Sequence, residues 1–230
     1  MKDKARRALL VAGEAVISAK GFAAATPREI EERARLGPGA FEEHFATTAD
    51  LLRELSRAFA EQMITVIEQS TRSGIWKGAP ARDVVEVAVR SILDVVLDRA
   101  GLVRAFLTQG AADPSLAADL RRAGTHLSSR LITVMAECSS APARPTRAIA
   151  FSLLVSAALA HHTILVGDDW SGVSFSKDQL AEETSRLVCA YLGLQPTIAI
   201  REETPDAART GIIAALRPSE IAASDRDPSK

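Results

Sequence analysis

An all-helical fold is what the 230-residue sequence predicts, on three observations. Aromatic residues make up only 4% of the chain, and alanine and leucine dominate the apolar set. Helices tolerate that mix, whereas sheets favour β-branched and aromatic side chains. Apolar residues recur at i, i+3, i+4 and i+7 through long segments. Between those segments stand residues that start and stop helices.

Residues 4–20 place Leu9, Ala12, Gly13, Val16 and Ile17 on one face of a first helix, with Gly21 where a left-handed cap would end it. Thr26-Pro27 offers an N-cap side chain followed by proline at the first helical position. Glu29, three residues after Thr26, predicts a capping box for a second, short helix. Leu36-Gly37-Pro38-Gly39 breaks the chain, and Phe41 and Phe45, at i and i+4, predict a third short helix. Thr47 or Thr48 caps a longer one through Leu52, Leu55, Phe59, Met63 and Val66.

A loop with Trp76 packed into it precedes a periodic segment over residues 81–99, with Val84, Val87, Ala88, Ile92 and Val95. A short helix follows over residues 102–109, and Asp113-Pro114 opens another that runs to about Glu137. Residues 148–166 form an apolar stretch about as long as a bilayer is thick. Its Ala, Ser, Leu and Val content, with His161 and His162 inside it, predicts a helix buried on all sides of a helical core. Ser176 opens a last core helix through Leu180, Thr184, Leu187, Val188 and Tyr191, stopped by Gly193. Beyond it, residues 204–216 predict a short helix after Thr204-Pro205, and residues 218–230 are polar enough to stay disordered.

Composition bounds the function. Apolar residues are 47% and charged residues 25%, the balance of a globular protein with a real core. Net charge is −1, so any affinity for nucleic acid must come from local charge and geometry. Cys138 and Cys189 predict buried, reduced thiols rather than a disulfide scaffold. The basic, then apolar N-terminus is interrupted by Glu14 and spaced as an amphipathic helix, which argues against a leader peptide. The cell location expected is cytoplasmic. No glycine-rich phosphate loop, nucleophile elbow or metal-spaced cluster supports an enzyme, and neither a cofactor nor a metal is expected.

Thr26, Arg28, Ile30, Ala34, Gly39, His44, Phe45, Leu51 and Leu52 occur in the order and spacing of one helix-turn-helix pattern. With Gly21-Phe22 before it, and the helix order through Gly193 after it, the chain resembles the TetR (tetracycline-repressor) family of transcriptional regulators. The resemblance implies an N-terminal three-helix DNA-reading domain over residues 1–50. It implies a ligand-binding and dimerisation domain over residues 51–193, with residues 194–230 as a C-terminal extension. It also implies double-stranded operator DNA and a second copy of the chain as partners, with a small apolar or amphipathic effector. No membrane partner is expected. The candidate DNA-binding residues are Lys4, Arg6, Thr26, Arg28, Pro38, Gly39, Ala40, Glu42, Glu43, His44 and Thr48. Ile30, Ala34, Leu36, Phe41 and Phe45 would form the small core that sets the angle of the reading helix.

Four positions depart from the family pattern. Arg35 stands at the glycine of the turn, Glu42 at a backbone-touching tyrosine, Thr48 at a phosphate-contacting lysine and Glu31 at a small residue. Residues 26–52 hold three arginines against six carboxylates, a net charge of −3, whereas residues 1–25 carry +3. Two readings stay open. In one, the basic N-terminal arm and Arg28 hold phosphates while Glu42 or Glu43 accepts from cytosine N4. In the other, the scaffold persists while DNA binding is weakened or lost, and function lies with a ligand or a partner.

The candidate ligand-binding residues are Arg104, Phe106, Gln109, His126, His161, His162 and Trp170, chosen by position alone. Adjacent histidines point about 100° apart on a helix and so cannot readily share one metal ion. Asp168-Asp169, at a helix C-terminus, reads as a solvated loop. Ser152, Ser156, Ala157, Ala158 and Ala160 are small enough to let a second subunit approach closely, in a four-helix bundle between two copies.

Overall fold

The computed structural model describes residues 2–72, 74–139, 145–167 and 172–194. Its helices are α1 (Lys2–Lys20), α2 (Pro27–Ala34), α3 (Thr48–Ser70), α4 (Ala81–Asp98), α5 (Ala100–Gln109), α6 (Pro114–Glu137), α7 (Pro145–Leu165) and α8 (Lys177–Leu192), with a 3-10 turn at Phe22–Ala24. No strand occurs among the described residues. Trp170, the Asp168-Asp169 pair and the helix expected over residues 204–216 lie outside them.

Helix starts follow local chemistry. The hydroxyls of Thr26, Thr47 and Ser176 accept from the backbone N–H three residues on, and the Asp113 carboxylate accepts from Ser115 N–H. Each satisfies one of the orphan donors of a first helical turn. The full capping box forms at Ser176 with Gln179. At Thr26 it forms by half, because Lys20 draws the Glu29 carboxylate into an ion pair.

The third short helix is replaced by overlapping turns over residues 38–44. Glu43 N–H reaches Gly39 O and Phe45 N–H reaches Phe41 O, but Ala40 and His44 close only three-residue turns. Gly39 enters with φ 87°, a left-handed conformation that a regular helix start does not use. The chain is therefore helical in sense here without a continuous i to i−4 ladder.

α2 ends in a Schellman motif: Leu36 N–H bonds Glu31 O and Arg35 N–H bonds Glu32 O. Arg35 holds the left-handed position, φ 56° and ψ 41°, and is the one non-glycine residue with positive φ among the described residues. A Cβ there is strained. Arg35→Gly should therefore raise stability by roughly 0.5–1 kcal/mol in urea denaturation, after allowing for glycine's larger unfolded-state entropy. A lowered midpoint would contradict this account of the turn.

α3 packs on α6, α4 on α8, and α1 on α2, α3 and α5. One apolar cluster runs without interruption from Leu9, Ile17, Ile30, Phe41 and Phe45 through Leu52 and Phe59 to Val103, Phe106 and Leu116. A second joins α4, α6, α7 and α8 around Val85, Leu93, Leu131, Met135, Ile149 and Val188. α3 crosses residue 50 as an unbroken helix, so the N-terminal unit and the body share a core across it.

α7 corrects the expectation of a helix buried all round. Ser152, Ser156 and Ala160 face inward, whereas Phe151 (47% exposed), Leu154 (64%), Ala158, Leu165 and Val166 face out. Hydropathy hides this division, since the inward stripe of small Ser and Ala residues is no more apolar than the large side chains that face out. The Ser152, Ser156 and Ala160 stripe thus serves packing within the chain rather than between copies. Leu187 and Tyr191 of α8 lie exposed beside it, and the Phe151 and Tyr191 rings meet at 5.1 Å. The segment Thr146–Leu165 is long and apolar enough to cross a bilayer, and 28% of its most apolar 18-residue window is buried within the chain.

Cys189 is buried and Cys138, expected to be buried too, is half-buried at the end of α6. Burial pushes the Cys189 thiol up to about 11 and raises that of Cys138, so both are poor thiolates. The indole N–H of Trp76 donates to Ser70 O at 2.7 Å, which fixes the loop after α3.

Candidate nucleic-acid interface and ligand cavity

α1 supplies the platform for the turns over residues 38–44, the segment expected to read DNA. Arg6 forms an ion pair with Glu54 of α3, and its guanidinium lies 5.3 Å from the centroid of the Phe45 ring. It therefore ties α1, α3 and the end of the reading turns together. Lys4 is exposed beside it. Lys20 at the other end of α1 pairs with Glu29, whose carboxyl is held below the ordinary glutamate range chiefly by that hydrogen bond.

Within residues 26–48 the candidate side chains gather on one outer surface in part. Thr26 is the exposed cap of α2, and Arg28 is exposed but bonds Glu32 at 3.0 Å. Pro38, Gly39, Glu42 and Glu43 are exposed, while Ala40, His44 and Thr48 are half-buried. Arg33 and Arg35 are also exposed and form no ion pair among the described residues. Phe41 and Phe45 point inward with ring centroids 5.6 Å apart, forming the small core that their spacing predicts.

Glu31 is the residue whose part the sequence did not reveal. It is buried, 7% exposed, and its Oε1 accepts from Phe41 N–H at 2.9 Å. A carboxylate of α2 thus does for the reading turns what an N-cap does for a helix. The signal available was its place next to Ile30 on the inward side of α2, where the family pattern has a small residue.

The body holds a cavity of about 150 Å³ between α3, α4, α5, α6 and α7. Phe59, Met63, Ile92, Val103, Leu127 and Leu153 are among its walls, and Ser156 and His161 are the polar side chains of its lining. Ser156 Oγ already donates to Ser152 O at 2.9 Å, which leaves His161 as the polar group turned to the space. Burial pulls the His161 imidazole below its ordinary value of 6.5, so the neutral ring is favoured.

That shift has a consequence for stability. The unfolded chain takes up a proton at His161 near the ordinary value, and the folded chain only at lower pH. Stability should therefore fall as pH drops below about 6.5, because the unfolded state then binds more protons. His161→Leu should flatten that part of the pH profile of thermal unfolding. An unchanged slope would place its origin elsewhere.

The other position-based ligand candidates sit apart from the lining. Arg104 is exposed, and Gln109 caps the loop before α6 through its carbonyl. Phe106 is buried behind Phe59, with centroids 5.8 Å apart. His126 turns its Nε2 toward Glu68 at 3.5 Å, and His162 lies on the outer side of α7.

Residues 9–55 match the family model of bacterial regulatory proteins of the tetR family. No curated protein matches the chain in sequence. Solved structures share the fold. A protein assigned to the TetR family of transcriptional regulators, from Mesorhizobium loti, superposes with a TM-score of 0.66 at 17% identity, over 84% of this chain and 97% of that one. A transcriptional regulator from Rhodococcus gives 0.64 at 19% identity, over 82% and 96%. SmeT, the repressor of the multidrug efflux pump SmeDEF of Stenotrophomonas maltophilia, gives 0.61 at 16%, over 87% and 97%. These solved proteins are named as regulators or repressors of transcription. The N-terminal segment of the chain thus matches the tetR-family model, and its described helices carry the fold of the solved regulators.

Proposed function

We propose that the protein is a ligand-responsive repressor of transcription, working in the cytoplasm, that binds operator DNA as a homodimer. The observation that carries this reading is α3, a single helix with two duties. Its first residue, Thr48, adjoins the reading turns, and its middle supplies Phe59, Met63 and Ile67 to the cavity wall. An occupant that displaces those side chains tilts the helix on which the reading segment is mounted. A small apolar or amphipathic effector with one hydrogen-bonding group for His161 suits the lining. The change in separation of two reading heads then lowers operator affinity as a population shift.

The exposed Phe151, Leu154, Leu187 and Tyr191 support the dimer, since they form a continuous apolar face on two adjacent helices. Two such faces make a four-helix bundle, and two heads can then meet the major groove about one helical turn apart. Burial in that bundle is also the reading preferred for the apolar face of α7. Lys4, Arg6, Arg28 and the amides at helix starts would hold phosphates, with Glu42, Glu43 and His44 at the bases. SmeT lends the repressor role by likeness.

A second reading has an observation of its own. Glu42 and Glu43 stand exposed on the reading turns, and Arg6 and Arg28 are engaged by Glu54 and Glu32. The scaffold would then act through its ligand or a protein partner. Selection from a random duplex pool, followed by anisotropy of the winning duplex across salt, separates the two. The repressor reading expects a sequence-specific complex with a shallow salt dependence, since few phosphates are neutralised. No complex even near about 50 mM salt would favour the second reading.

A further inference from the structure

We propose that Arg99 is the positioning residue that carries the state of the cavity to α1, through a relay of Phe59, Arg99 and Glu14. The proposal rests on the cavity reading above and names the path by which that cavity is coupled to the reading segment.

Arg99 is the single residue between α4 and α5, two helices that wall the cavity through Ile92, Val96 and Val103. Its side chain is 14% exposed on the surface formed by three elements. Nε donates to Glu14 Oε1 at 2.7 Å and Nη2 donates to Glu14 Oε2 at 2.6 Å, a two-pronged fork onto the middle of α1. Nη1 donates to Gln62 Oε1 of α3 at 2.8 Å. The guanidinium carbon lies 5.1 Å from the centroid of the Phe59 ring. Phe59 is itself a cavity wall, so one aromatic ring has the cavity as one neighbour and Arg99 as another.

The fork is geometrically demanding. A planar guanidinium on a carboxylate holds both distance and plane, so a small rotation breaks one of the two bonds. The pair is partly shielded from water, Arg99 more than Glu14, which strengthens its dependence on geometry. Beside it, Gly101 brings α5 against α1 so closely that a Cβ there would lie 2.5 Å from Ser18 O and 2.7 Å from Ser18 Cα. Backbone meets backbone at that crossing, with no flexible side chain to absorb a shift. A displacement of Phe59 or α5 is therefore passed to α1, on which α2 is packed and whose Arg6 lies over the Phe45 ring at the end of the turns.

The experiment uses the full chain and N-phenyl-1-naphthylamine, an uncharged aromatic fluorophore, as the cavity probe. Binding is read from fluorescence, and transmission from hydrogen–deuterium exchange of residues 14–20 and 28–36. In the wild type the probe should bind and speed exchange in both segments by about threefold or more, as the fork loosens. Glu14→Gln and Arg99→Lys should bind the probe within about twofold of the wild type and lose that response, since each keeps bulk and hydrogen bonding but not the fork. Probe binding with unchanged or slower exchange in the wild type would overturn the relay and leave the cavity reading standing. Failure of the probe to bind would count against the cavity reading instead.

A ligand-free arm then decides the relay by itself. Phe59 and Glu14 reach each other through Arg99, so unfolding constants of Phe59→Leu and Glu14→Gln should combine non-multiplicatively, by about threefold or more. The deviation should vanish in an Arg99→Met background. Multiplicative behaviour with Arg99 intact would overturn the proposal.

Discussion

Leu154→Asp combined with Phe151→Asp should turn a dimer into a monomer in sedimentation velocity, with helical circular dichroism unchanged. Leu154 is 64% exposed and Phe151 47% exposed in the isolated chain, so neither change empties a monomer core. In a two-fold bundle each new carboxylate would instead be buried, and symmetry imposes it twice. An uncompensated buried charge costs several kcal/mol, and each 1.4 kcal/mol is tenfold, so the dissociation constant should rise on the order of a thousandfold or more. Ser152→Asp makes the control. Ser152 faces the interior, and its hydroxyl donates to Ala148 O at 2.9 Å, so a carboxylate there should lower the melting temperature of the chain itself. A double variant that still sediments as a dimer would move the interface away from α7.

How much of this was readable from the chain depends on the range of the interaction. Caps are local, and Thr26, Thr47, Asp113 and Ser176 announce their helices because each acts within three residues. The Arg35 position was visible for the same reason, as a left-handed turn with the wrong residue in it. The i, i+4 spacing of Phe41 and Phe45 sets both rings on one side, but a helix and a run of overlapping turns satisfy it equally. The Gly37-Pro38-Gly39 entry, with Gly39 at φ 87°, decides in favour of turns. α7 has too little contrast between its sides for periodicity to assign them. The cavity lining was the least legible part. It needs five helices to converge, and position alone could not tell that Arg104 faces solvent while Phe59 faces the space. Contacts between residues 85 apart, such as Arg99 with Glu14, leave no local trace at all.

Phe41→Ala should cost about 3–5 kcal/mol in urea denaturation, the range for removing a fully buried aromatic side chain. Phe41 is 1% exposed, its ring meets Phe45, and its backbone N–H is the one held by Glu31. The loss should be felt first in the N-terminal unit, where few other large side chains can close around the void. Exchange protection over residues 26–45 should drop while that of α4 and α8, in the second apolar cluster, persists. The Glu31 series then divides packing from positioning. Glu31→Ala leaves the Phe41 N–H buried without an acceptor, at about 1–3 kcal/mol, whereas Glu31→Gln keeps an acceptor oxygen in reach and should cost less. Because the carboxylate fixes where the reading turns begin, Glu31→Ala should weaken binding to a selected duplex by more than its effect on folding alone predicts. Equal urea midpoints for wild type and Phe41→Ala would mean that these turns are not anchored by the core described here, and the reading surface would have to be sought on another face of α2.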